Sequence, residues 1–234
     1  MHARELIDEY IREGRLSANR SQPIGSGSYG TVYQSDEPGY VIKQNHPQRF
    51  ADDLEKETNL QAIAAELGIA PAIRSYERFP EGTQRIEMAD ATANYQPVVG
   101  EGDAFGMPGV GTPIDPAINL RTSQQLGALA LKGLRLDDRR AANIMQHRMT
   151  GRPLQLDFGV AGKVSGEDKA LVLAQATQEG MKAAGLGDLG DILYATVGDM
   201  VAGGDVAEAM DLAKQGFSRL QKIKAPLEEA VRLY

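Results

Sequence analysis

Asp138-Arg139-Arg140-Ala141-Ala142-Asn143 is followed, about one hairpin further on, by Leu156-Asp157-Phe158-Gly159. This spacing constrains the chain more than any other feature. A loop would place Asp138 and Asn143, and the two strands of a hairpin would hold Asn143 and Asp157 close together. Three oxygen-bearing side chains would then converge on one spot. A polar loop beside a turn would look similar, and Asp-Phe-Gly alone is a weak signal because such tripeptides recur by chance. The weight lies in the combination.

The chain that must fold around this stretch has 234 residues, enough to bury a core and to hold one or two small domains. Its 42% hydrophobic and 24% charged residues are those of a soluble globular protein. Its 25 Lys and Arg against 32 Asp and Glu give a net charge of −7, which argues against a broad nucleic-acid-binding surface. With no Cys, disulfides and thiolate zinc sites are excluded. His2, His46 and His147 are the only imidazoles, and they lack metal-ligand spacing. No apolar run approaches the roughly 20 residues of a membrane span, and the N-terminus carries no apolar signal segment. The composition therefore predicts a cytoplasmic protein with neither nucleic-acid nor membrane partners. Export or injection into a host cell by other machinery would leave no mark of this kind.

Residues 4–16 place Leu6, Ile7, Tyr10 and Ile11 on one side of a predicted amphipathic helix. Ile24-Gly25-Ser26-Gly27-Ser28-Tyr29-Gly30-Thr31-Val32 then matches G-x-G-x-x-G-x-V at every position. A lone G-x-G-x-x-G also fits a dinucleotide turn, but a β-branched residue follows here and no helix does. That favours a β-hairpin over phosphates, with Tyr29 at the tip as a shield from water. Gly39 to Lys43 reads as a short apolar strand ending in a lysine. Ala51 to Leu67 reads as a helix ending near Gly68, with Leu54, Glu57, Leu60, Ala64 and Leu67 on one stripe. An acid on that inward face is costly without a partner, and Lys43 is the natural one. Glu55 falls on the solvated side.

Ile69 to Met88 reads as two strands joined at Pro80-Glu81-Gly82-Thr83, and Ile86 to Ala89 as the passage into a hinge. Residues 90–118, rich in Gly and Pro, predict an irregular connector. Asn119 to Leu134 predicts a helix with Leu126, Leu129, Ala130 and Gly133 inward. Helices are further predicted over 167–184, over 191–201 as a buried helix ending at Gly203-Gly204, and over 205–219 and 226–233.

The order of these motifs resembles that of the protein-kinase superfamily, from about residue 20 to 203. It looks most like shortened bacterial or viral kinases of the effector type. The resemblance implies an α+β, two-lobed, kinase-like fold in a single domain over 1–234. Residues 1–19 would be a helical extension and 20–89 an N-lobe of small antiparallel sheet with one main helix. Residues 90–118 would be hinge and connector, and 119–234 a reduced, mostly helical C-lobe. It implies ATP and Mg²⁺ as cofactors and a protein substrate. Asp138 would take the proton from the substrate hydroxyl, with Lys43 and Arg140 as the other catalytic groups, and Asn143 and Asp157 would hold Mg²⁺. Ile24, Gly25, Gly27, Tyr29, Gly30, Val32 and Lys43 would bind ATP, with Glu57 orienting Lys43. Backbone groups from Glu87 to Ala89 would meet the adenine edge, with Ile86 behind it. Arg140-Ala141-Ala142-Asn143 also matches the tyrosine-kinase variant of the loop, though four residues do not decide specificity.

Two departures matter. Leu136-Asp137 stands where kinases usually have His-Arg, so the arginine that binds a phosphorylated activation loop is replaced by an acid. After Gly159 there is no Ala-Pro-Glu and no long phosphorylatable segment, which predicts activity without activation-loop phosphorylation. Two other readings compete. One is a catalytically idle kinase-like module with a binding or structural role, against which the full set of catalytic residues speaks. The other is a small-molecule kinase, against which Phe158-Gly159 speaks.

Overall fold

The computed structural model describes residues 23–26, 30–45, 54–80, 82–98, 114–137 and 141–224. The helices predicted over 4–16 and 226–233 lie outside them, as do Gly27, Tyr29, Asp138 and Arg140. The first lobe is a five-stranded antiparallel sheet in the order β1-β2-β3-β5-β4. Its strands are β1 (Pro23–Ser26), β2 (Gly30–Gln34), β3 (Tyr40–Asn45), β4 (Ile73–Arg78) and β5 (Gln84–Ala89). The strands on either side of Gly27 to Tyr29 pair antiparallel, with Ser26 opposite Thr31. At Gly30 a Cβ would sit 2.5 Å from the Gln44 carbonyl oxygen, so only glycine lets β2 lie this close to β3.

Helix α1 (Leu54–Glu66) packs on this sheet. The predicted stripe holds: Leu54, Glu57, Leu60 and Ala64 are buried and Glu55 is exposed. Gly68, at φ +67°, ends the helix where the sequence placed its stop. A small apolar cluster of Val41, Leu54, Ile86 and Met88 fills the space between helix and sheet.

The described ends of the connector, 90–98 and 114–118, carry regular structure that its composition did not suggest. Its residues 95–97 form β6 (Tyr95–Pro97), paired with β8 (Ile144–His147), which pairs in turn with β9 (Pro153–Gln155). Helix α2 (Pro116–Leu131) begins three residues before the predicted start. Asp115 sets that start by accepting hydrogen bonds from the Ala117 and Ile118 amides, with Pro116 in the first turn. Leu126, Leu129 and Ala130 face inward as predicted, while Gly133 follows the helix at φ +76° and Leu134 opens β7 (Leu134–Leu136). A single 3₁₀ turn, Ala141–Asn143, leads into β8, and β10 (Ala161–Lys163) pairs with β7.

Three more helices complete the second lobe: α3 (Gly166–Ala183), α4 (Gly187–Gly203) and α5 (Val206–Leu220). Helix α3 is its hub and packs against α2, α4 and α5. Along α3, Ala170, Leu173, Ala174 and Thr177 are buried, and Phe217 and Leu220 of α5 join them. Helix α4 corrects its prediction. It is apolar, but only Gly190 and Val197 are buried, while Leu189 is 58% and Ile192 64% exposed. One face packs on α3 and α5, and no described element covers the other.

Candidate active site

The two lobes meet at a cleft of about 360 Å³, within the usual range of small-molecule sites. Its roof is the Gly-rich hairpin, through Ile24, Gly25, Gly30 and Val32. Its floor comes from the hairpin that was predicted to join the two acidic motifs, through Asn143, Met145, Leu156 and Asp157. Strands β8 and β9 bring those ends together, and the Leu156 amide donates to the Asn143 carbonyl at 2.9 Å.

Lys43 projects into the cleft from β3. Its Nζ lies 2.5 Å from Glu57 Oε1 and 3.3 Å from Asp157 Oδ1. Asp157 is further oriented by the Gly159 amide, which donates to the same Oδ1 at 3.0 Å. Burial works against the Lys43 charge, but the Glu57 and Asp157 carboxylates outweigh it and hold its pKa above the ordinary lysine value. Burial likewise pushes the Glu57 carboxyl up, against the pull of Lys43. The contact distance favours the charged form of the pair, while the Asp157 carboxylate favours the Lys43 ammonium and works against the Glu57 charge.

Ala89 lines the cleft, together with Met88, Asp90, Ala91 and Thr92. Glu87 is not among the residues that line the cleft. Lys43 pairs with Ile86 and Val41 with Met88, so those side chains share the cleft face of the sheet. Glu87 therefore points to the opposite face, where its carboxylate accepts from Ser35 Oγ at 2.5 Å and approaches Arg74 at 3.5 Å. Strand β5 runs on through Met88 and Ala89, which pair with Val41 and Tyr40. Sequence reasoning also missed the apolar slot of Val41, Met88, Met145 and Leu156. Period-two alternation from Lys43 and from Asn143 would have found Val41 and Met145.

The arrangement has a Gly-rich hairpin over a cleft and a buried lysine held by a helix carboxylate. A second carboxylate sits at the end of a floor hairpin, and residues 90–94 lead from β5 of the first lobe to β6, which pairs with β8. The fold is protein-kinase-like.

No family model matches the chain, and no curated protein matches it. Solved structures to which the chain is similar include the Mycobacterium tuberculosis PknI kinase domain in a double-mutant form. It aligns at 17% identity and a TM-score of 0.47, over 86% of this chain and 94% of that one. The PknI kinase domain itself gives 19% identity and a TM-score of 0.45, over 68% and 71%. The kinase PK-1 of the Cydia pomonella granulovirus gives 14% and 0.46, over 70% and 61%.

The cleft fits a magnesium-bound nucleotide. Its slot is apolar, and at its inner end stand one ammonium and two oxygen-bearing side chains, Asn143 and Asp157. Among the described residues no group of three or more His, Asp or Glu forms a cage. Mg²⁺ commonly takes only one or two carboxylates and completes its shell with water and phosphate oxygens.

Proposed function

We propose that this chain is an ATP- and Mg²⁺-dependent protein kinase, folded as one kinase-like domain, that transfers the γ-phosphate to a protein hydroxyl. The observation that carries the proposal is Lys43 held between Glu57 and Asp157 at the inner end of the cleft. The adenine would lie between Val32 and Val41 above and Met145 and Leu156 below. Lys43 would hold the α- and β-phosphates, with Glu57 fixing the direction of its ammonium. Asn143 and Asp157 would hold Mg²⁺, which supplies charge neutralisation on the phosphates. Asp138, outside the described residues, would accept the proton of the attacking hydroxyl, and Arg140 would stand near the γ-phosphate.

The test is incubation with labelled ATP, Mg²⁺ and a cell lysate, alongside an Asp157→Ala variant. Labelled protein from the wild type and none from the variant is the expected result, with the variant still folded by circular dichroism. Equal labelling by the variant would refute the assignment. Label only in small molecules would identify a small-molecule kinase, and no transfer at all an idle module.

A further inference from the structure

Gln61 lies one turn beyond Glu57 on the same face of α1 and has no solvent exposure. Its side-chain amide donates to the Pro71 carbonyl at 3.0 Å and to Met88 Sδ at 3.4 Å. Both partners are acceptors, so the nitrogen must face them and both its hydrogens are used. The Oε1 atom is left buried without a donor. An unsatisfied buried acceptor weakens a fold, and a leucine of similar size would avoid it. What the glutamine offers instead is direction. Pro71 leads into β4, and Met88 stands on β5 opposite Val41, two residues from Lys43 on β3. The amide thus ties α1 to the strands that carry the lysine, one turn from the carboxylate that must meet it.

We propose that Gln61 is a positioning residue. Its amide fixes the rotation and height of α1 so that Glu57 reaches Lys43. The catalytic meaning of this latch rests on the proposed kinase reading, but its effect on Lys43 does not. With the latch gone, α1 turns or lifts, Glu57 leaves the lysine, and the ammonium loses its stronger partner. An apolar residue of equal volume would fill the space without holding the register.

The test uses the full chain and needs no phosphotransfer, so it can succeed where the kinase reading fails. Lys43 acylation by a small amine-reactive reagent is followed near pH 9 by peptide mass spectrometry. Wild type is compared with Gln61→Leu and Gln61→Met, each with and without Glu57→Gln. Both Gln61 variants are expected to react at Lys43 about ten-fold faster, because the amine is no longer held in contact with the Glu57 carboxylate. Their urea midpoints should equal or exceed that of wild type. In the Glu57→Gln background the Gln61 changes should add nothing. An unchanged Lys43 rate in folded variants would overturn the proposal, and so would the same acceleration when Glu57 is already absent. Loss of fold in both variants would also overturn it, because Gln61 would then be a core residue and not a latch.

Discussion

Lys43 keeps its charge in a place where burial alone would discourage one, because two carboxylates face it. Its pKa in the folded chain lies above 10.5, the value it takes when unfolded. The stabilisation it contributes is therefore fully present below pH 10.5 and is lost as pH rises through the higher folded value. Urea unfolding of wild type and Lys43→Met between roughly pH 9 and pH 12 checks this. The gap between the two midpoints should narrow with rising pH, and a constant gap would count against the pairing. Glu57 was legible in the sequence because an acid on an apolar helical stripe demands a partner. Gln61 and Thr58, also buried on α1, were not legible. Their partners are the Pro71 and Leu54 carbonyls and a methionine sulfur, which no spacing rule brings forward. The direction of the Glu87 side chain, toward Ser35 and Arg74, follows from the alternation of neighbouring strand residues.

At the scale of elements, α2 and α5 fit together through one missing side chain. A Cβ at Gly127 would overlap the ring of Phe217, which is buried beneath it. Gly127→Ala should destabilise the fold by about 1–3 kcal/mol through overpacking, read as a lower urea midpoint. Phe217→Leu in the same chain should return part of the loss. The segment after Gly159 makes a second prediction. Residues 161–163 pair with β7 as β10, and the Val164 amide donates to the Gly133 carbonyl at 2.8 Å. Ser165 stands at the N-cap of α3 without a side-chain cap bond, and Asp137 is paired with Arg135 at 2.9 Å. A segment already held by a ladder leaves phosphorylation little to order. Ser165→Ala and phosphatase-treated protein should both transfer phosphate at the untreated rate. A ten-fold loss in both, about 1.4 kcal/mol in the barrier, would reveal a switch. The long helices were legible by period, as was the Gly-rich hairpin by motif. The three-residue strands β6, β7 and β10 were not, being too short to show alternation. The depth of α4 was misread because an apolar run alone does not distinguish a buried helix from one covered on a single face.

Among the described residues the buried apolar side chains form three clusters, and the middle one joins the lobes. Phe158, 2% exposed, packs there with Leu60 and Ala64 of α1 from the first lobe and with Leu126, Leu134 and Leu136 from the second. The other two clusters each belong to one lobe. Phe158→Ala should cost about 3–5 kcal/mol and weaken the link through which the lobes unfold together. Calorimetry should then show two resolved transitions where wild type shows one; a single sharp transition in the variant would show that other contacts couple the lobes. The same junction sets the sign of the field that an arriving ligand meets. Among the described residues, one ammonium against the carboxylates of Glu57 and Asp157 leaves the inner end of the cleft with one negative charge. A bare triphosphate is repelled there, and a divalent cation reverses the sign. Under the proposed reading, the nucleotide enters with its metal or after it, and nucleotide without metal is a poor occupant rather than an inhibitor.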